Sequence, residues 1–139
     1  MKKEFVLYDE ALALRNLGFN EPCFANYYAG DKSLTPYRGY PNDGDEDTHF
    51  STTINMGYSD KWVTSPLYQQ AFRWFREKYN MLSQIFLHDR EDVKTWKYEI
   101  TVIEKYEMKG NSIHYNSYEE AELACLRKLI EIVKNEKYI

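Results

Sequence analysis

Arg73, Trp74 and Arg76 lie within one helical turn of each other in SPLYQQAFRWFREKY, residues Ser65 to Tyr79. An indole can stack on a base, and a guanidinium can grip a phosphate through two parallel hydrogen bonds. Tyr27 and Tyr28, with Tyr37 and Arg38, repeat the combination of aromatic ring and cation earlier in the chain. Such residues offer the stacking surface and cations that a nucleotide site would use. The same Trp74 also reads as a core aromatic between two solvated arginines, and its place on an aromatic stripe favours that plainer reading. Glu122 projects near the middle of the apolar arc of a later helix, where a carboxylate could serve a ligand or simply reach water at the helix edge.

Other chemistry finds less support. His49, His88 and His114 are widely separated in the chain, and no Cys or His pair has zinc-ligand spacing. Asp43, Asp45 and Asp47 alternate as a calcium loop begins, but Thr48 stands where the turn glycine belongs and Ile54 where the closing glutamate belongs. A solvated acidic loop is the better reading. The six glycines form no phosphate-cradling motif, no G-x-S-x-G elbow is present, and no cofactor is expected. A small hydrolase or nuclease acting on nucleotides would have to use Glu122, His88 and His114, which ranks it below non-catalytic binding.

The elements that must position these groups read as a single α+β domain of 139 residues. Two main amphipathic helices and a short N-terminal one are expected to pack on a small antiparallel sheet of about three to five strands. Pro66 suits a first helical position with Ser65 as its cap, and Leu67, Tyr68, Ala71, Phe72, Trp74, Phe75 and Tyr79 then form one stripe. A short helix is predicted over about Asp9 to Leu17 and closed by Gly18, with a strand following at Cys23 to Tyr28. The stretch from residue 30 to 64 reads as a long irregular loop broken by short strands near Phe50 to Met56 and Lys61 to Thr64.

In the second half, strands are predicted at Gln84 to Leu87 and Thr95 to Val102. The alternation slips at Ile103, which suggests a bulge before continuation to Met108, a turn at Lys109-Gly110-Asn111 and a return at Ser112 to Tyr115. Ser117 and Glu120 form an S-x-x-E capping box for a final helix to about Lys134. The order helix, three strands, helix matches double-stranded RNA-binding domains. There the last helix opens with lysines, whereas here it opens with Glu119, Glu120 and Glu122, so duplex nucleic acid is not an expected partner.

A net charge of −4 argues against broad affinity for nucleic acid or anionic membrane. The thirteen tyrosines fit a wet binding surface or a small core with amphipathic edges. Glu4, Asp9 and Glu10 interrupt any leader-like apolar region, no apolar run reaches spanning length, and Cys23 and Cys125 lack C-x-x-C spacing. A cytosolic protein with two reduced thiols is expected, and sequence leaves self-association open.

At SPLYQQAFRWFREKY, SYEEAELACLRKLIEIV and LGFNEPCF the chain resembles a family of short phage and prophage proteins of gut Bacteroidetes-type bacteria, a family with no assigned activity. The resemblance implies an accessory protein acting in the host bacterial cytosol. It would work by occupancy, sequestering a nucleotide signal of host defence or, alternatively, covering a host protein surface.

Overall fold

The computed structural model describes residues 2–36, 61–110 and 112–136. It is an α+β fold with three α-helices and two three-stranded antiparallel sheets. Backbone contacts gather into two compact units, Met1–Leu67 and Tyr68–Ile139. The expected run of strands thus divides between two sheets.

The first unit opens with a 3-10 turn at Lys2–Glu4 and helix α1 at Tyr8–Asn16. Gly18 adopts a left-handed φ of 97°, its N–H bonds to the Arg15 carbonyl, and the Phe19 N–H bonds to the Leu14 carbonyl at 3.0 Å. This paired closure needs a residue that tolerates positive φ, which is why glycine stands there. Phe19 then folds back into the core beside Leu14, both of them buried.

Strands β1 (Ala25–Tyr28), β2 (Leu34–Pro36) and β3 (Trp62–Ser65) form the sheet in the order β2-β1-β3. Of the strands expected between residues 30 and 64, the one near residue 61 is present as β3. The one at Phe50 to Met56, the acidic run and most of that loop lie outside the described residues. Phe24, expected within the strand at Cys23 to Tyr28, precedes β1 and is exposed.

The second unit runs α2 (Tyr68–Tyr79), β4 (Met81–Arg90), β5 (Val93–Val102), β6 (Glu107–Gly110) and α3 (Tyr118–Glu136). Helix α2 begins two residues later than the first helical position its sequence suggests. Ser65 is the last residue of β3 and its hydroxyl donates to the Val6 carbonyl at 2.7 Å, while the Pro66 carbonyl accepts from the Val6 N–H. A tertiary bond therefore takes the hydroxyl that a cap would have used.

Tyr68, Ala71, Trp74 and Phe75 are buried as the stripe requires, with Phe72 and Tyr79 half-buried. Burying each large side chain contributes roughly 1.5–3 kcal/mol, so this face holds the helix in place. The stripe packs on β4, and α3 packs on β4, β5 and α2.

β4 and β5 are longer than their sequence patterns suggest. They pair from Met81↔Val102 to Arg90↔Val93. The two residues between them, Glu91 and Asp92, have φ of 51° and 68°, as a tight two-residue hairpin turn requires. Neither is a glycine or asparagine, so the turn carries no compositional signal.

The slip at Ile103 marks a chain reversal and not a bulge. β5 ends at Val102, Tyr106 takes a φ of 49°, and Glu107–Gly110 returns against Glu99 to Val102. The expected return at Ser112 to Tyr115 survives only as a bridge between Tyr115 and Trp96, with 2.8 Å bonds in both directions.

The start of α3 is capped as expected, since the Glu120 N–H bonds to Ser117 Oγ at 3.1 Å. The Glu120 carboxylate reaches back to the Asn116 N–H at 3.1 Å. Replacing Ser117 by alanine should cost about 1 kcal/mol in chemical denaturation. At the far end of α3, Lys109 of β6 pairs with Glu136.

Cys125, in the middle of α3, is buried, and burial pushes its thiol up from 9.0 to about 12. The folded protein thus holds this proton to higher pH than the unfolded chain does. The stability tied to it is complete below pH 9 and is lost as pH rises through 12, on the order of 4 kcal/mol across the window. Urea denaturation at pH 8 and pH 11 should show roughly two-thirds of that loss, and Cys125→Ala should make the alkaline slope shallower. Tyr27 and Tyr118, both raised mainly by burial, act in the same direction above pH 10.

Candidate functional site

Gln69, Phe72, Arg73 and Arg76 stand at i, i+3, i+4 and i+7 along α2, which places them on one stripe beside the buried one. That stripe forms one wall of a cleft of about 140 Å³ in the second unit, facing Ser83 and Ile85 of β4, with Tyr118 of α3 as a further wall. The wall residues are fixed by their elements. β4 is held in register along its whole length by β5, and Tyr118 is locked by the capped start of α3 and by an edge-to-face contact with Trp96 at 5.3 Å.

The cleft is cationic and rich in donors. The exposed Arg73 and Arg76 bring two guanidinium groups to it, and its described lining contains no carboxylate. Gln69 and the Tyr118 hydroxyl hydrogen-bond to each other. Burial, then the charge of Glu122, raises the Tyr118 phenol above its ordinary value, so it stays protonated and able to donate. The buried Ser83 hydroxyl has no oxygen or nitrogen partner among the described residues and lies beside the Cys125 thiol, a weak hydrogen-bonding group. Phe72 and Tyr118 add ring surface.

Such an arrangement can hold an anionic group on the arginines and a flat ring against Phe72 or Tyr118. It has no lining imidazole or carboxylate that would move a proton.

The sequence-derived residues are distributed unevenly around this cleft. Arg73 and Arg76 line it. Trp74 does not, because its ring is buried against Phe75 at 5.1 Å and Tyr79 at 5.5 Å, with Lys78 Nζ 5.0 Å over its face. The plainer reading of Trp74 as a core aromatic is the one the structure supports. Glu122 is buried one turn beyond Tyr118 and is not in the lining.

Tyr27 and Tyr28 belong to the first unit. Tyr27 is buried, its hydroxyl donating to the Val6 carbonyl at 2.9 Å and its ring meeting Tyr8 edge-on. Tyr28 is exposed and lies against Trp62 at 5.3 Å. Tyr37 and Arg38 lie outside the described residues.

Phe72, Gln69, Ser83 and Tyr118 are the site residues that sequence reasoning missed. The signal for the first two was present, since a polar and aromatic stripe ran at helical spacing beside the apolar one. Phe72 falls on the apolar stripe in the sequence and reads there as core.

The histidines give a different result. His88 and His114 come together with ring centroids 4.8 Å apart, yet Glu122 sits in the helical layer, whereas the two imidazoles occupy the opposite face of the sheet. The three do not converge as the hydrolase reading needs. Among the described residues no group of three or more His, Cys, Asp or Glu side chains is arranged to hold a metal ion, and no helix is long and apolar enough to cross a membrane. Searches against protein-family models, curated proteins and solved structures find no match to the chain.

Proposed function

We propose that this protein binds a small phosphorylated ligand of nucleotide type in the cleft between α2 and β4 and does not transform it. The reading is supported above all by Arg73 and Arg76 lining one cleft with the rings of Phe72 and Tyr118. Two guanidinium groups three residues apart can share one phosphate or take two neighbouring ones, and the donors at Gln69 and Tyr118 suit a ribose or base edge. The cleft volume of about 140 Å³ takes one ring or one phosphate, leaving the remainder of the ligand across its open rim.

The resemblance to phage accessory proteins adds the proposal that the ligand is a bacterial signalling nucleotide, held away from its receptor. Isothermal titration against a panel of mononucleotides, cyclic nucleotides and ADP-ribose-type compounds tests this. Saturable heat with a phosphorylated member, and none with the matching nucleoside, is expected. Flat traces across the panel would refute it.

A further inference from the structure

His88 and His114 reach each other across β5. Cross-strand register sets His88 of β4 beside Thr95, and on the other side of β5 the bridge between Trp96 and Tyr115 brings in residues 112–117, the segment that joins β6 to α3. The two imidazoles meet edge to face with centroids 4.8 Å apart, and His114 Nδ1 lies 2.8 Å from Thr95 Oγ1. Thr95 itself donates to the His88 carbonyl at 3.3 Å, so its oxygen accepts from His114 Nδ1–H. The same segment is held by the paired 2.8 Å bonds between Trp96 and Tyr115 and by the stacking of Tyr115 on Tyr98 at 6.1 Å. Directly after it come Ser117, the cap of α3, and Tyr118, whose ring stands edge-on to Trp96 and walls the cleft.

A neutral pair of imidazoles packs without electrostatic cost, whereas two imidazolium rings at this separation set like charges against each other. The fixed charges around them come close to balancing. Arg90 of β4 and Lys97 of β5 share their face of the sheet, against Glu99 of β5 and Glu91 and Asp92 in the β4–β5 turn, and β6 sets only the uncharged Met108 and Gly110 there. The contact between the rings is thus what separates the two protonation states. Desolvation, then the charges of His88, Lys97 and Arg90, hold the His114 pKa below its ordinary 6.5. An arrangement that lowers the pKa of a group is weakened when that group takes up a proton, so the docking of the segment is firmest above pH 6.5 and is lost progressively as pH falls.

We infer that residues 112–117 form an acid-released latch, which lies on β5 while His88 and His114 are neutral and lets go of it when both are charged. The hydrogen bond from His114 Nδ1–H to Thr95 survives protonation, because an imidazolium still donates there. Ring repulsion is therefore what opens the latch. Release loosens Trp96 and with it the Tyr118 wall, a consequence for ligand binding that rests on the reading of the cleft as a binding site. The latch itself is tested on the protein alone.

Amide hydrogen exchange at pH 7.5 and pH 5.0, expressed as protection factors so that the intrinsic pH dependence of exchange cancels, provides that test. Protection of the Trp96 and Tyr115 N–H groups should fall at least about threefold on acidification, while that of Leu129 in the middle of α3 stays as it was. His114→Asn keeps a donor near the Nδ1 position and cannot take up a proton, so its protection at Trp96 and Tyr115 should not depend on pH. His88→Ala removes one of the two rings, and the titration of His114 followed by NMR should then move to higher pH. Equal protection of the wild-type chain at both pH values, the same loss in His114→Asn, loss at Leu129 in step with Trp96, or an unmoved His114 titration in His88→Ala would each overturn the latch. A flat calorimetric panel beside the expected exchange results would refute the cleft reading and leave the latch standing.

Discussion

Replacing Phe75 by alanine should lower the stability of the folded chain by about 3–5 kcal/mol, the largest effect expected of any single change in α2. Phe75 is completely buried and meets Trp74 and Tyr79 ring to ring at 5.1 and 5.9 Å. Truncation removes both the transfer free energy of the ring and the contacts that its neighbours made with it, and neighbours this large cannot collapse into the space. Small domains are stable by only about 5–15 kcal/mol in total, so the variant should unfold at a much lower urea midpoint or fail to accumulate as folded protein. Arg73→Ala, two residues away on the solvent side, should cost less than about 0.5 kcal/mol. If urea titration gave the two variants similar midpoints, the packing of α2 on β4 would not be what holds the second unit together.

That contrast makes the second experiment clean. Arg73→Ala with Arg76→Ala should leave the fold intact and remove nucleotide binding, because a charge-assisted hydrogen bond to phosphate contributes about 1.5–3 kcal/mol, or roughly ten- to hundredfold in affinity per arginine. Arg76→Lys separates charge from geometry. Lysine keeps the positive charge but loses the planar fork, so it should restore only part of the affinity. Phe72→Ala should weaken binding of the nucleotide and leave binding of inorganic phosphate unaltered, since the ring has nothing to do with the anion. Full retention of nucleotide affinity in the double arginine variant would move the ligand elsewhere.

Much of the helical framework was legible in the sequence because helix periodicity and caps are local. The 68, 71, 74, 75 stripe, Gly18 as a left-handed closure and the Ser117–Glu120 cap are each set by residues within one or two turns. The strand ends were less legible. The β4–β5 turn uses Glu91 and Asp92 in a backbone conformation usually supplied by glycine or asparagine, and the tertiary bond from Ser65 to Val6 spans 59 residues. Arg73 and Arg76 could be read as a site because charge and spacing are visible in a sequence. Ser83 and Tyr118 could not, since only the packing of α3 against β4 brings them opposite α2. The meeting of His88 and His114 likewise depends on a hairpin register and on a bridge at Tyr115 that no local pattern announces.

The most direct test of the account is a two-dimensional ¹⁵N–¹H spectrum of the labelled protein, recorded as the tightest nucleotide of the calorimetric panel is added. Perturbations should concentrate on Gln69, Phe72, Arg73, Arg76, Ser83 and Tyr118 and saturate with a single dissociation constant. Saturable shifts that spare these six residues and cluster elsewhere in the chain would contradict it.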